Sequence, residues 1–313
     1  VNKAVAFAPA TVANIGVGFD ILGLALDNPG DTISAEFSDT PGVTVAGIEG
    51  DGGKLPRDPN KNTACVAGLS VLRAAGSTQG VALTIQKGLP AASGLGSSAA
   101  SAVGAAVAVN ALLGEPLTRD QLLAPSLDGE AIASGYHADN VAPCLFGGIT
   151  LSYGIEAHQI ERLPIPRGLS LALVTPHVEV ATAMARAVLP KDIPLKSMVK
   201  QTGSVARLIR AIYTDDLESM AAAMEADVVV EPARAHLMPG LFEARRAAKA
   251  AGALALVISG AGPTLCAVCA SHETALQVVS ALEMVYAELG LGCTARAASV
   301  SEQGSSVHVS EGA

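Results

Sequence analysis

The residues with the clearest chemistry run from Pro90 to Ala100, Pro-Ala-Ala-Ser-Gly-Leu-Gly-Ser-Ser-Ala-Ala, after a β-rich run ending near Gln86 and at the start of an Ala-rich helical stretch. Their chemistry is anion binding. Gly94 and Gly96 let the backbone approach a ligand closely, and the unpaired N–H groups of the first helical turn face the same space with the positive end of the helix dipole. Three other readings compete. Gly94-x-Gly96-x-x-Ala99 satisfies a loose dinucleotide fingerprint, but that site needs a strand ending in an acidic residue ~20 positions on. Here Glu115-Pro-Leu-Thr-Arg-Asp-Gln121 opens another helix instead. A Walker loop needs Gly-Lys-Ser/Thr, which does not occur. A Gly-rich turn with no ligand is the third alternative; nucleotide phosphate is the reading we carry forward.

The elements that must hold this loop follow from periodicity. Alternating or apolar runs at Ala4–Ala8, Thr32–Phe37, Val43–Ile48 and Val81–Gln86, broken by Pro and Gly, predict strands. Asn62–Ala75 and Ala99–Leu113 have helical spacing, and a third helix runs from Arg119 towards Gly135, with Pro125 either interrupting it or in its first turn. Gly147–Ser152 closes a first lobe as a strand, and Leu163–Gly168, with two prolines, reads as a linker. Beyond it come a strand at 171–174, helices near 181–188, 197–213, 216–226 and 239–251, strands at 255–259 and 265–269, a helix at 273–290 and a strand at 294–299. The expected fold is α+β in two domains, 1–160 and 161–313.

Composition narrows the function. A formal charge of −9 argues against nucleic acid and anionic membranes, both of which need clustered Lys and Arg. Five scattered cysteines do not make a disulfide framework. Cys266 and Cys269 form a C-x-x-C inside an apolar run, where a strand would turn them to opposite faces as buried small hydrophobes. No run of 18 apolar residues exists. The expectation is a soluble cytoplasmic protein, or a plastid one if a transit segment preceded Val1.

The loop resembles the phosphate-loop signature of the GHMP kinases. Ala8-Pro-Ala-Thr-Val-Ala-Asn-Ile-Gly-Val-Gly-Phe-Asp20 and Ser259-Gly-Ala-Gly-Pro-Thr264 are similar to that family's first and third motifs, in order. Gly135-Tyr-His-Ala-Asp-Asn-Val-Ala-Pro-Cys-Leu-Phe-Gly-Gly148, Asp31 after Asn28-Pro-Gly, Asn60-Lys-Asn-Thr-Ala64 and Glu231-Pro-Ala-Arg234 resemble its homoserine kinase branch. Cys144, where a small residue is usual, and Pro125-Ser126 depart from the pattern.

The resemblance implies the two-domain GHMP kinase fold, ATP and Mg²⁺ as cofactors, L-homoserine as acceptor, and threonine biosynthesis as context; a homodimer is compatible with it. It assigns Ser98 and Glu130 to the metal. Asn62, Thr63, Lys87, Pro90, Ser93, Gly94, Leu95, Gly96 and Ser97 fall to the nucleotide, with a solvated strand-end lysine as the other reading of Lys87. Asn14 and Asp20 fall to the acceptor's amino group, Arg186 and Arg234 to its carboxylate, and His137, Thr182 and Gly260 to the same pocket. Where many of the family carry a catalytic Asp, this chain has Asn140, whose amide cannot take a proton at neutral pH. Asn140 is then expected to orient the hydroxyl, with Asp139 as the fallback base, because adjacent side chains on one element diverge. Two alternatives remain. One is a kinase of another small alcohol such as mevalonate, which would give Asp20 no ammonium; the other is a non-catalytic sensor, which need not keep Ser98 and Glu130.

Overall fold

The computed structural model describes residues 2–310. Its first sheet is built from β1 (Lys3–Ala13), β2 (Leu22–Ser38), β3 (Gly42–Glu49), β4 (Gly80–Gln86), β5 (Ile149–Ser152) and β6 (Ile160–Leu163). β1 and β2 pair antiparallel, β3 runs parallel to β4, and β5 joins β2 to β6. The parallel pair needs a crossover, which α1 (Thr63–Ala74) supplies. Helices α2 (Ser97–Leu112), α3 (Leu123–Ala131) and α4 (Ala138–Phe146) complete this lobe. α2 is buried along Ala99–Leu112 on every face, which is why it is Ala-rich: at Gly104 even a methyl group would meet Ile33 at 2.7 Å.

The second sheet has the order β10–β7–β9–β8, from β7 (Ser170–Pro176), β8 (Ala255–Ile258), β9 (Leu265–Cys269) and β10 (Cys293–Ala298). Five helices accompany it: α5 (Thr182–Ala187), α6 (Leu195–Tyr213), α7 (Leu217–Met224), α8 (Val230–Arg234) and α9 (Leu241–Ala250), followed by α10 (His272–Glu288). A final strand, β11 (Ser306–Ser310), returns to pair with β1. The first sheet thus draws on residues 3–163 and 306–310, and the chain passes to the second between Leu163 and Ser170. One apolar core runs from the first sheet onto Leu171, Leu173, Leu208 and Ile212, and a second fills the space between the second sheet and α9 and α10. Cys266 belongs to the first core and Cys269 to the second, as alternation along a strand requires.

Several elements differ from the sequence expectation for identifiable reasons. β2 starts at Leu22, because the Asn28–Gly30 turn signal lies opposite an irregularity in β1 and pairing resumes on both sides of it. The helix expected over 119–135 is a 3₁₀ turn followed by α3, with Pro125 in its first turn, where a missing N–H is harmless. α4 was hidden by Pro143 in its interior. The short β6 and α8, and β11, carried no periodicity to read.

Candidate active site

A cleft of about 380 Å³ opens where the N-termini of α1, α2 and α4 converge and α5 faces them. Its floor is the phosphate loop. Gly94 and Gly96 have φ of 81° and 67°, and Gly96 caps α2 without a side-chain hydrogen bond, so the first-turn N–H groups remain available to an anion. The loop is held from behind by the third glycine-rich block. Ser259 Oγ donates to Gly94 O at 2.6 Å and Thr264 Oγ1 to Ser93 O at 2.6 Å, while a Cβ on Gly94 would lie 2.6 Å from the Ser259 carbonyl oxygen. Ser93, Gly94, Gly96, Ser97 and Ser98 line the cleft. Pro90 and Leu95 instead line a second cavity of about 460 Å³ that shares Ser93.

Asn62 and Thr63 stand at the start of α1, also in the wall. Asn62 Oδ1 caps that helix by accepting from Ala64 N and Cys65 N, and its Nδ2 donates to Pro56 O. Lys87 is neither solvated nor free. It is buried in an ion pair with Asp31, and it donates to Ser97 O at 2.8 Å and Ser101 Oγ at 2.9 Å. An ammonium has three N–H donors, so all are committed and Lys87 offers a ligand its charge only. Removing either ion would strand the other, at ~3–5 kcal/mol.

At the metal position Ser98 Oγ donates to Glu130 Oε1 at 2.9 Å, and Ser134 Oγ donates to the same oxygen. Glu130 Oε2 is buried with no partner among the described residues. At the far end Arg186 pairs with Asp20 through two bonds, 2.9 and 3.0 Å, and His137 Nδ1 lies 3.5 Å from the same carboxylate. Arg234 donates to Ala185 O and Gly260 O, both at 3.0 Å, and Asn14 Nδ2 donates to Gly260 O at 2.9 Å. Phe19 lies under both guanidiniums, 5.5 Å from Arg186 and 5.1 Å from Arg234. Thr182 opens α5 on the same wall, and Asn140 faces the loop from the first turn of α4.

Residues 62–148 match the GHMP kinases N terminal domain and residues 208–288 the GHMP kinases C terminal. Homoserine kinase of Chlorobium phaeobacteroides is 40% identical over 294 residues, covering 90% of this chain and 92% of that protein. Homoserine kinase of Xylella fastidiosa is 40% identical over 92% of this chain and 89% of its own. The crystal structure of homoserine kinase from Cytophaga hutchinsonii superposes with a TM-score of 0.94 at 41% identity, covering 98% of each chain. The chain belongs to the GHMP kinase family. This GHMP kinase has no helix, among its described residues, long and apolar enough to cross a membrane.

Two carboxyls in the cleft of this GHMP kinase are displaced from their ordinary range. Burial pushes Glu130 up to about 7 against the hydrogen bonds from Ser134 and Ser98 that oppose it. Burial, then the charges of Asp20 and Glu130, push Asp139 up to about 7, with Arg186 pulling the other way. His137 is lowered, chiefly by burial. Asp139 and Asn140 both line the cleft although they are neighbours, because the cleft wraps around the N-terminal end of α4; the divergence that makes Asp139 the fallback base does not remove it from the site. Sequence reasoning missed Ser134, Phe19 and Ser101. Ser134 follows Glu130 by four residues, the one local signal among them.

Proposed function

We propose that this chain transfers the γ-phosphoryl group of ATP to the side-chain hydroxyl of L-homoserine, giving O-phospho-L-homoserine and ADP. The observation that carries the reading is the sharing of one cleft by an anion-binding helix start and a set of one carboxylate and two guanidiniums, Asp20, Arg186 and Arg234, whose charges match those of a zwitterion. Mevalonate lacks the ammonium that Asp20 would answer. A cytoplasmic location suits the two substrates.

The unpartnered Glu130 Oε2 beside the Ser98 hydroxyl fits Mg²⁺, whose remaining ligands would be phosphate oxygens and water. Bound there, the cation would neutralise charge on the phosphates. The loop N–H groups hold the phosphates, Lys87 adds positive field beneath them, and Arg186, Arg234, Asp20 and Asn14 fix the amino acid. Asn140 orients the hydroxyl. Its oxygen bonds to the γ-phosphorus as the bond to the bridging oxygen breaks, and ADP leaves with that electron pair. In a loose transition state the hydroxyl proton moves late, to an oxygen of the transferred group, so position rather than basicity carries the rate. One observation favours a second reading of the proton's path: Asp139, buried in the cleft with its carboxyl near 7, is poised as a general base.

ADP release with Mg²⁺ across L-homoserine, L-threonine, L-serine, mevalonate and galactose tests the assignment. Homoserine should be turned over fastest. Turnover on mevalonate or galactose with none on homoserine would overturn it.

A further inference from the structure

Thr11 lines neither cavity and is wholly buried in β1, yet its hydroxyl reaches across the fold to the cleft. Oγ1 donates to Asn140 Oδ1 at 2.7 Å, joining residues 129 positions apart. A buried threonine on a strand would ordinarily bond a nearby carbonyl, and three features aim this one elsewhere. The β1–β2 pairing shifts register between Pro9 and Thr11, an irregularity of the kind that redirects a side chain next to a site. Thr11 N donates to Leu95 O at 3.1 Å, so the same residue grips the phosphate loop. Gly96 leaves the space for the bond: a Cβ there would sit 2.1 Å from Thr11 Oγ1 and 2.8 Å from Asn140 Oδ1.

The geometry points to Thr11 as a positioning residue that fixes the Asn140 amide, occupying Oδ1 as an acceptor so that the two Nδ2 N–H donors face the acceptor hydroxyl and the incoming phosphoryl oxygens. This rests on the orienting role of Asn140 proposed above and sharpens it. A hydroxyl that accepts an N–H on one lone pair keeps the other for phosphorus, and the Asn140 amide oxygen, not basic enough to take the departing proton, serves to hold the group in register through Thr11. The backbone bond to Leu95 sets the distance between the amide and the loop that holds the phosphates, so one residue registers the acceptor side of the reaction against the donor side.

The test is a double-mutant cycle read by steady-state kinetics. Asn140→Ala should lower kcat about 10²–10³-fold. Thr11→Val removes the hydroxyl at nearly constant shape and should lower kcat about tenfold or more, with KM for homoserine and for ATP within about twofold. Thr11→Ser keeps the donor and should restore kcat to within about threefold of wild type. In the Asn140→Ala background Thr11→Val should change kcat by less than about twofold, since it has no amide left to hold. Equal losses in both backgrounds, or a Thr11→Val enzyme with wild-type kcat, would overturn the inference. If Asn140→Ala itself keeps wild-type kcat, the orienting role fails first. Should Thr11→Val melt far below the wild-type temperature, Thr11→Ala deletes the same hydroxyl without a clash and must show the same cycle.

Discussion

At the phosphate end of the cleft the groups facing a ligand are backbone N–H groups and a carboxylate oxygen without a partner among the described residues, whereas at the acceptor end a carboxylate and a guanidinium are already bonded to each other. The first end is built and unsatisfied. Gly94 is set by contact with the Ser259–Thr264 turn, and Glu130 Oε2 has no partner among the described residues. The second end is built and largely paired within itself: Asp20 is taken by Arg186 and Arg234 donates to two carbonyls, while Arg186 Nε is left buried without a partner among the described residues. A nucleotide therefore adds bonds where none exist, while the ammonium of an amino acid must compete with Arg186 for Asp20. An exchange is worthwhile only to a ligand that can replace both halves of the Asp20–Arg186 pair, which makes the acceptor end the discriminating one.

The largest effect should come from filling or removing the open valence. Glu130→Gln should lower kcat by about 10³-fold and raise the Mg²⁺ concentration needed for half-maximal turnover, with KM for homoserine within about threefold. A titration of rate against Mg²⁺ at saturating homoserine checks it. If KM for homoserine rises as much as the Mg²⁺ requirement, the two ends are not separable.

Next in size is Arg234→Leu, which deletes a guanidinium that serves bound and reacting acceptor alike. The loss should appear mainly as raised KM for homoserine, of order 2–4 kcal/mol in kcat/KM, with KM for ATP unchanged. Because Arg234 and Asn14 share the Gly260 carbonyl next to the turn that holds the loop, a parallel rise in KM for ATP would show that the acceptor end is mechanically continuous with the phosphate end.

Smaller still is Asp139→Asn. With Asn140 as an orienter, kcat should stay within about tenfold of wild type, and the pH–rate profile should lack an acid limb belonging to Asp139. A loss larger than that of Asn140→Ala, with a limb near pH 7 that vanishes in Asp139→Asn, would assign the proton to Asp139 and reverse the mechanism.

What could be read in advance follows the same division. The phosphate loop was legible because its chemistry lies in one contiguous block, where Gly94, Gly96 and the serines fix both the turn and the helix start; Glu130, 32 positions from Ser98, came only through the family resemblance. The acceptor set was found only through separate motif blocks, and nothing in them says that Asp20 and Arg186 meet. The solvated reading of Lys87 stays open beside the nucleotide one because its partner, Asp31, lies 56 positions away on another strand. The Thr11–Asn140 bond is equally silent, since which acceptor a buried hydroxyl chooses is decided by a register shift in β1 and by the space at Gly96. Asp139 ranks behind Asn140, as the fallback base, by a rule about neighbours on one element that does not hold where a cavity surrounds the end of a helix. The strands and helices with unbroken periodicity were readable throughout; α4 and β2 were obscured by prolines that the tertiary structure tolerates.

The smallest expected effect concerns stability without ligands, and it separates the two ends by pH. Glu130 and Asp139 both sit near 7 in the folded protein because burial disfavours their charged forms, while in the unfolded chain they titrate as ordinary carboxyls. Between roughly pH 4 and 7 the folded state therefore binds more protons than the unfolded one, so stability falls as pH rises through that window. The ligand-free enzyme should melt at a lower temperature at pH 8 than at pH 5.5 on account of these two groups, by an amount worth of order 1 kcal/mol or more. Mg²⁺ with a non-hydrolysable ATP analogue should recover part of the loss at pH 8, because a cation at Glu130 favours its charged form. Glu130→Gln should remove the part of the pH slope that Mg²⁺ rescues and leave the part due to Asp139; Asp139→Asn should do the reverse. Scanning calorimetry of the three proteins at the two pH values decides it, and a wild-type melting temperature that rises steadily from pH 5.5 to 8 would mean that neither carboxyl is held in its neutral form.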